Sequence, residues 1–248
     1  MSWRVRGGLT LLGVILPLGA FASPVSLQEY LFNLNGVDYS DTTVVPGLES
    51  GGFDSTSGLG TLTLTFDPRV SGAYFVDAYF DHELHVPLYN EYGVVGGAPS
   101  AGVSWQIDEP GFGDGNRTGT IFDNAKANAL DNANHVFGTT SNFLGDCGAN
   151  GAGSPNAACN NDVSLAMGFN FFLAADEKAV ITLVAGQTPP PGGFYLEQLS
   201  PADGEPAQAA DRLFLTGALA ILPAPEPSSS LLILTGLVGL ALRTRRAR

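Results

Sequence analysis

The sequence predicts an all-β protein, an antiparallel β-sandwich of jelly-roll-like kind. Three observations predict it. Apolar side chains alternate with polar ones over several short runs, the period of a strand with one buried face. Clusters of Gly, Pro, Asn and Asp separate those runs at short spacing, where a chain has to turn. The one helical stretch, "FDNAKANALDNANH" (residues 122–135), is short and rich in Asn.

Taken in order, residues 1–22 read as a secretory signal peptide. Arg4 and Arg6 precede a mostly apolar run over residues 9–21, and Ala20-Phe21-Ala22 supplies the small-x-small pattern that signal peptidase accepts, with cleavage after Ala22. A retained membrane helix is the weaker reading. The run is broken by Pro17 and falls short of the ~20 residues a span needs.

Residues 23–222 form the body, one domain by length. Leu62, Leu64 and Phe66 alternate with Thr61, Thr63 and Thr65. Tyr74, Val76, Ala78 and Phe80 alternate with Phe75, Asp77, Tyr79 and Asp81. "SLQEYLFNL", "GVSWQID", "DVSLAMGFNFFL", "KAVITLVAG" and "RLFLTGALAIL" are the other strand candidates, and "AADE" reads as a tight turn between two of them. A closed barrel is the nearest alternative; no internal repeat supports a propeller or solenoid.

Charge narrows the function classes. The chain has 11 basic and 24 acidic residues, and most of the basic ones lie at its two ends. The body keeps five basic and 23 acidic residues, a net charge near −18. Such a field repels nucleic acid and anionic lipid and attracts cations. The two cysteines, Cys147 and Cys159, lie in the exported region, where an isolated pair is most simply one disulfide closing the floppy loop "CGANGAGSPNAAC".

Candidate chemistry is sparse. "DHELH" places His82 and His85 three apart in a strand-like segment, on opposite faces, whereas a zinc protease needs i, i+4 on one helical face. "DGNRTGTIFDNA" resembles the start of a calcium loop: Asp114, Asn116 and Thr118 at positions 1, 3 and 5, with Asp123 as a further oxygen donor. Ala125 stands where the bidentate Glu belongs, so an Asx/Gly turn between strands accounts for the same residues. Trp105, Tyr89 and Tyr92 offer aromatic faces for a sugar, but Trp105 sits in the strand-like "VSWQI" and suits the core. No G-x-S-x-G elbow is present, and the plentiful carboxylates cannot be paired from sequence.

Residues 223–248 close the chain. "LPAPEP" is extended and unable to join a helix or a central strand. An uncharged apolar run over residues 231–242 follows, then Arg243, Arg245, Arg246 and Arg248, an arrangement that favours a cytoplasmic C-terminus behind a short anchor. Pro225-Glu226-Pro227, the apolar run with Gly236 and Gly239, and the arginine tail together resemble a PEP-CTERM sorting signal. The resemblance implies an exosortase as partner, an integral-membrane cysteine transpeptidase of Gram-negative bacteria that make exopolysaccharide. Pro225, Glu226 and Pro227 would be its substrate. Body segments such as "GFDSTSGLGTLTLTFDP", "SWQIDEPGFGD" and "MGFNFFLAADEKAVITL" are similar to a recurrent family of PEP-CTERM-anchored exported proteins with a β-sandwich body.

The expectation is therefore a non-enzymatic exported protein, held transiently at the inner membrane and then placed in the envelope or extracellular matrix. Its expected role is structural or adhesive, with extracellular polysaccharide or biofilm as the setting and no cofactor. A secreted carbohydrate- or calcium-binding module is the alternative, and a secreted hydrolase stands behind that.

Overall fold

A computed structural model describes residues 25–40, 43–84, 91–108, 110, 121–136, 163–199 and 212–224. Two six-stranded sheets pack face to face as a β-sandwich. The first contains β1 (Ser26–Leu34), β2 (Val37–Ser40), β5 (Gly72–Glu83), β7 (Val103–Asp108), β8 (Ala133–Asn134) and β9 (Ser164–Leu173), in the order β2-β1-β5-β9-β7-β8. The second contains β3 (Leu48–Glu49), β4 (Gly60–Phe66), β6 (Tyr92–Gly96), β10 (Glu177–Gly186), β11 (Tyr195–Leu199) and β12 (Arg212–Pro223), in the order β3-β4-β10-β12-β11-β6. Every pairing is antiparallel except the short parallel contact of β7 with β8.

Alternation places one row of each strand in the interior. Phe32, Val76, Ala78, Phe80, Ile107, Leu165, Met167 and Phe169 come from the first sheet; Leu62, Leu64, Ile181, Leu183, Leu196, Leu213 and Leu215 from the second. Burying a large apolar side chain of this kind stabilises by about 1.5–3 kcal/mol. The Asn35-Gly36 pair joins β1 to β2 with both residues at positive φ (51° and 90°), the primed turn that matches strand twist.

The structure changes three of the local readings. The first two residues of "LPAPEP" do extend a strand, with Leu222 paired to Lys178 and Pro223 to Glu177, because Pro223 stands at the last position of β12, where its missing N–H interrupts little of the ladder. The "AADE" turn is tight, with Glu177 N–H donating to Ala174 O at 3.1 Å, but the strands it joins do not pair. β9 lies in the first sheet and β10 in the second, so the turn is a corner between layers. The helical stretch forms only α1 (Ile121–Lys126). Asn128 and Asn132 adopt left-handed φ (49° and 60°), which ends the helix and returns the chain to pair as β8.

That short helix also alters what alternation implied for β5. Its inner row packs in the sandwich core, and its outer row is buried as well, from Asp77 to Asp81. Ile121, Ala125 and Leu130 cover Leu31, Tyr79 and Ala166 on the outside of the first sheet. Among the described residues, no helix is long and apolar enough to cross a membrane.

Candidate functional site

The outer face of the first sheet presents polar side chains in register across its central strands. Asn33 on β1 is paired with Asp77 on β5, Asp77 with Gly168 on β9, and Gly168 with Ser104 on β7. One row above lie Leu31, Tyr79, Ala166 and Gln106, the row that α1 covers. Phe122 packs edge-on to Tyr79 at 5.3 Å between ring centroids. Asn124 Nδ2 donates to Gln106 Oε1 at 2.8 Å.

The far end of α1 is held over the Asp77 row. Asn33 Nδ2 donates to the carbonyls of Ala125 (3.1 Å) and Lys126 (2.6 Å), and Asn33 Oδ1 accepts from Gly36 N–H at 2.8 Å. Beyond the row, Asn128 Nδ2 donates to Asn170 Oδ1 at 3.3 Å. The turn after α1 therefore crosses from one side of the Asp77 row to the other.

Under this roof, Asp77 is fully buried. Neither of its carboxyl oxygens has a hydrogen-bond partner among the described residues, and the same holds for Ser104 Oγ. Burial without compensation disfavours the charged form and pushes the Asp77 carboxyl up to about 7 from 3.8. Both groups bracket one spot: a Cβ on Gly168 would collide with Asp77 Oδ1 and Ser104 Oγ. The backbone of Gly168 is not among the positive-φ glycines, so space and not conformation is what a side chain would violate here.

A second buried polar region lies inside the sandwich at the end of β5. Glu91 is 2% exposed and accepts from Leu84 N–H (3.3 Å), Val163 N–H (3.2 Å) and Gln198 Nε2 (2.6 Å). Gln198 Nε2 also donates to His82 O at 2.6 Å. His82 lies on the inner row beside Phe80, and its Nε2 sits 3.2 Å from Gly58 O. A carbonyl only accepts, so Nε2 carries the proton. Burial drives this imidazole down to about 4, leaving it neutral at physiological pH.

The residues singled out from sequence separate accordingly. His82 is an interior residue, His135 pairs with Asp131 on the surface at 2.7 Å, and His85 lies outside the described residues. Trp105 packs on the inner side with Phe194 at 6.1 Å, whereas Tyr92, paired with Leu199, falls on the outer row of the second sheet. These two aromatics do not share a surface, and Tyr89 is outside the described residues. Asp123 is exposed in the first turn of α1. Asp114, Asn116, Thr118, Cys147, Cys159, Ala20, Ala22, Pro225, Glu226, Pro227, Arg243, Arg245 and Arg246 all lie outside the described residues. Among the described residues no group of three or more His, Cys, Asp or Glu side chains is placed to hold a metal.

Asp77, Ser104 and Gly168 were not candidates from sequence. Their signal was present but weak: an acidic residue in the middle of the aromatic run "YFVDAYF", and a glycine in the middle of "SLAMGFNFF". Fold and site thus define a β-sandwich domain that buries four carboxyl groups among the described residues, with Glu91 well satisfied and Asp77 without a partner. Comparison with known proteins adds no relative: no family model, no curated protein and no solved structure matches the chain.

Proposed function

We propose that the chain is an exported, non-enzymatic component of the cell envelope or extracellular matrix, sorted by an exosortase and serving a structural or adhesive role with exopolysaccharide or biofilm. The observation that carries this is the order of the C-terminal segment: Pro225-Glu226-Pro227, an uncharged apolar run, then arginines at 243, 245 and 246. The acidic body and the apolar leader ending at Ala20-Phe21-Ala22 support export. The sandwich is read as jelly-roll-like because the chain passes repeatedly between layers, from β4 to β5, β5 to β6, β6 to β7 and β9 to β10.

Intact mass of the protein recovered from native envelope and medium tests the proposal. Loss of the first ~22 residues together with everything beyond the Pro-Glu-Pro element is the expected result. A mass that retains residues 231–248 sinks the sorting reading and leaves a plain anchor. The same spectrum before and after reduction reads the Cys147–Cys159 disulfide.

A further inference from the structure

We propose that the end of the sandwich from which β12 leaves is a membrane-facing surface, seated on the lipid headgroups while the C-terminal run holds the chain at the bilayer. This inference rests on the anchor in the sorting reading given above. The last described residue is Ala224, whose N–H donates to Asp176 O at 2.6 Å in the corner between β9 and β10. The uncharged apolar run opens at Leu231, so only residues 225–230 separate it from that corner. An anchor too short for an ordinary span keeps its load near the lipid, and apolar contact at the headgroup boundary strengthens such a hold.

Register brings exposed apolar side chains together at this end. β5 starts and β9 finishes here, with Gly72 paired to Leu173 and Ala73 to Phe172. β4 and β12 finish here on the facing sheet, where Phe66 and Ile221 flank Ala179 of β10. The rings of Phe66, Tyr74 and Phe171 meet across the two sheets at 5.2, 6.1 and 6.4 Å between centroids, which ties both layers into one end. Of the seven large apolar side chains left exposed among the described residues, four stand here: Val70 (61%), Phe172 (64%), Ile221 (38%) and Leu222 (42%). The turn that carries Val70 is held by the Tyr74 hydroxyl, which donates to Val70 O at 2.8 Å. Exposed apolar residues scattered singly are ordinary; a group of them at one end marks an interaction surface.

Charge selects the same end. The body as a whole repels anionic lipid, but its charge is unevenly spread. Of its five basic and 23 acidic residues, this end carries Arg69 and Lys178 against Asp67, Asp176 and Glu177, two cations against three anions, a balance of −1 within a body near −18. Two of those anions are engaged: Asp67 is matched with Arg69 at 2.8 Å, and Glu177 accepts from Ala174 N–H at 2.8 Å. Lys178 stands opposite Leu222, where a long side chain can lay its stem on apolar surface and put its charge among headgroup phosphates. The partner is therefore a lipid surface, met by the one end of an acidic body that is both apolar and nearly neutral.

The test expresses the full chain in a Gram-negative host, recovers it with the membrane and reconstitutes it in vesicles of phosphatidylcholine and phosphatidylglycerol. Phe172→Trp reports on this end. Ser55→Trp, in the exposed turn whose Gly58 abuts His82 at the other end, is the reference. Each is read against the unsubstituted chain. The expected result in Phe172→Trp is a blue-shifted emission that is quenched by lipids brominated just below the headgroup, with neither change in Ser55→Trp. Adding Val70→Asp and Leu222→Asp should reverse the shift and remove the quenching while the chain still floats with the vesicles. A floating chain in which Phe172→Trp is no more quenched than Ser55→Trp overturns the surface and leaves the anchor standing. A chain that does not float overturns the anchor, and this surface with it. The substituted positions are exposed, and should the aspartate pair not fold, Phe172→Trp against Ser55→Trp decides alone.

Discussion

Of the four carboxyl groups buried among the described residues, Asp77, Asp81, Glu91 and Glu197, two are held in opposite ways. Glu91 sits between the sheets with donors from three separate segments, Leu84, Val163 and Gln198. Asp77 sits on the outside of one sheet, equally hidden from water, with no donor among the described residues. The first arrangement is a structural tie: it fastens the end of β5, the start of β9 and the middle of β11 to one side chain. The second is a destabilising feature within the sandwich as it stands, since desolvation is not offset by any bond. A buried polar group that the fold itself satisfies adds stability; one that the fold leaves unsatisfied is held toward its neutral, protonated form.

The largest expected effect breaks the tie. Glu91→Ala leaves two backbone N–H groups buried without an acceptor and the Gln198 amide with His82 O alone, and should cost about 3–5 kcal/mol. Urea unfolding reads this as a lowered midpoint with unchanged slope. A loss below about 1 kcal/mol would show that water or neighbouring groups replace the carboxyl, and that the contrast with Asp77 is overstated.

Asp77→Asn should act with the opposite sign. The folded carboxyl titrates near 7 and the unfolded one near 3.8. Between those values the unfolded chain has already released its proton, so it binds fewer protons than the native chain and stability falls as pH rises. At ~1.36 kcal/mol per unit the loss by pH 8 is on the order of 4 kcal/mol. The amide removes that loss: Asp77→Asn should be more stable than the wild type at pH 8 and nearly equal to it at pH 4. A variant less stable at pH 8 would mean that Asp77 is bonded in solution.

His82 sharpens the comparison from the other region. Its folded pKa is held near 4, below the unfolded 6.5. As pH falls through 6.5 the unfolded chain takes up a proton that the native imidazole refuses, so stability drops on acidification. Over roughly pH 4–6.5 this slope opposes that of Asp77 and the two largely cancel in the wild type. Asp77→Asn should therefore expose a curve that declines toward acid, and His82→Gln one that declines toward base. If both variants keep the wild-type profile, neither buried group sets the pH dependence.

The smallest effect belongs to the surface above the row. Lys126 and Asp38 lie 3.7 Å apart, both well exposed. Lys126→Met should change stability by no more than about 0.5 kcal/mol, because water screens such a pair. A larger loss in calorimetry would show that the charge pins α1 over the Asp77 row, which the hydrogen bonds from Asn33 are expected to do alone.

Much of the strand content was legible. β1 matches "SLQEYLFNL" residue for residue, β4 and β10 alternate along their length, and β12 covers "RLFLTGALAIL" without alternating. β3 and β8, two residues each, carry too little pattern to be seen. Trp105 was legible as core from its place in an apolar strand. Asp77 was not legible as a site, because on the sequence it is one polar residue on the face expected to meet solvent.

By itself the sequence determined the period of many strand segments and most of the places where the chain turns. Those properties depend on residues a few positions apart, through φ/ψ preference and side-chain alternation. Tertiary structure alone decided that the "AADE" turn joins different sheets, that α1 roofs the outer face of β5, and that Gly168 and Ser104 stand beside Asp77. Strand pairing brings together residues far apart along the chain, and the dielectric around a carboxyl is set by whatever finally covers it.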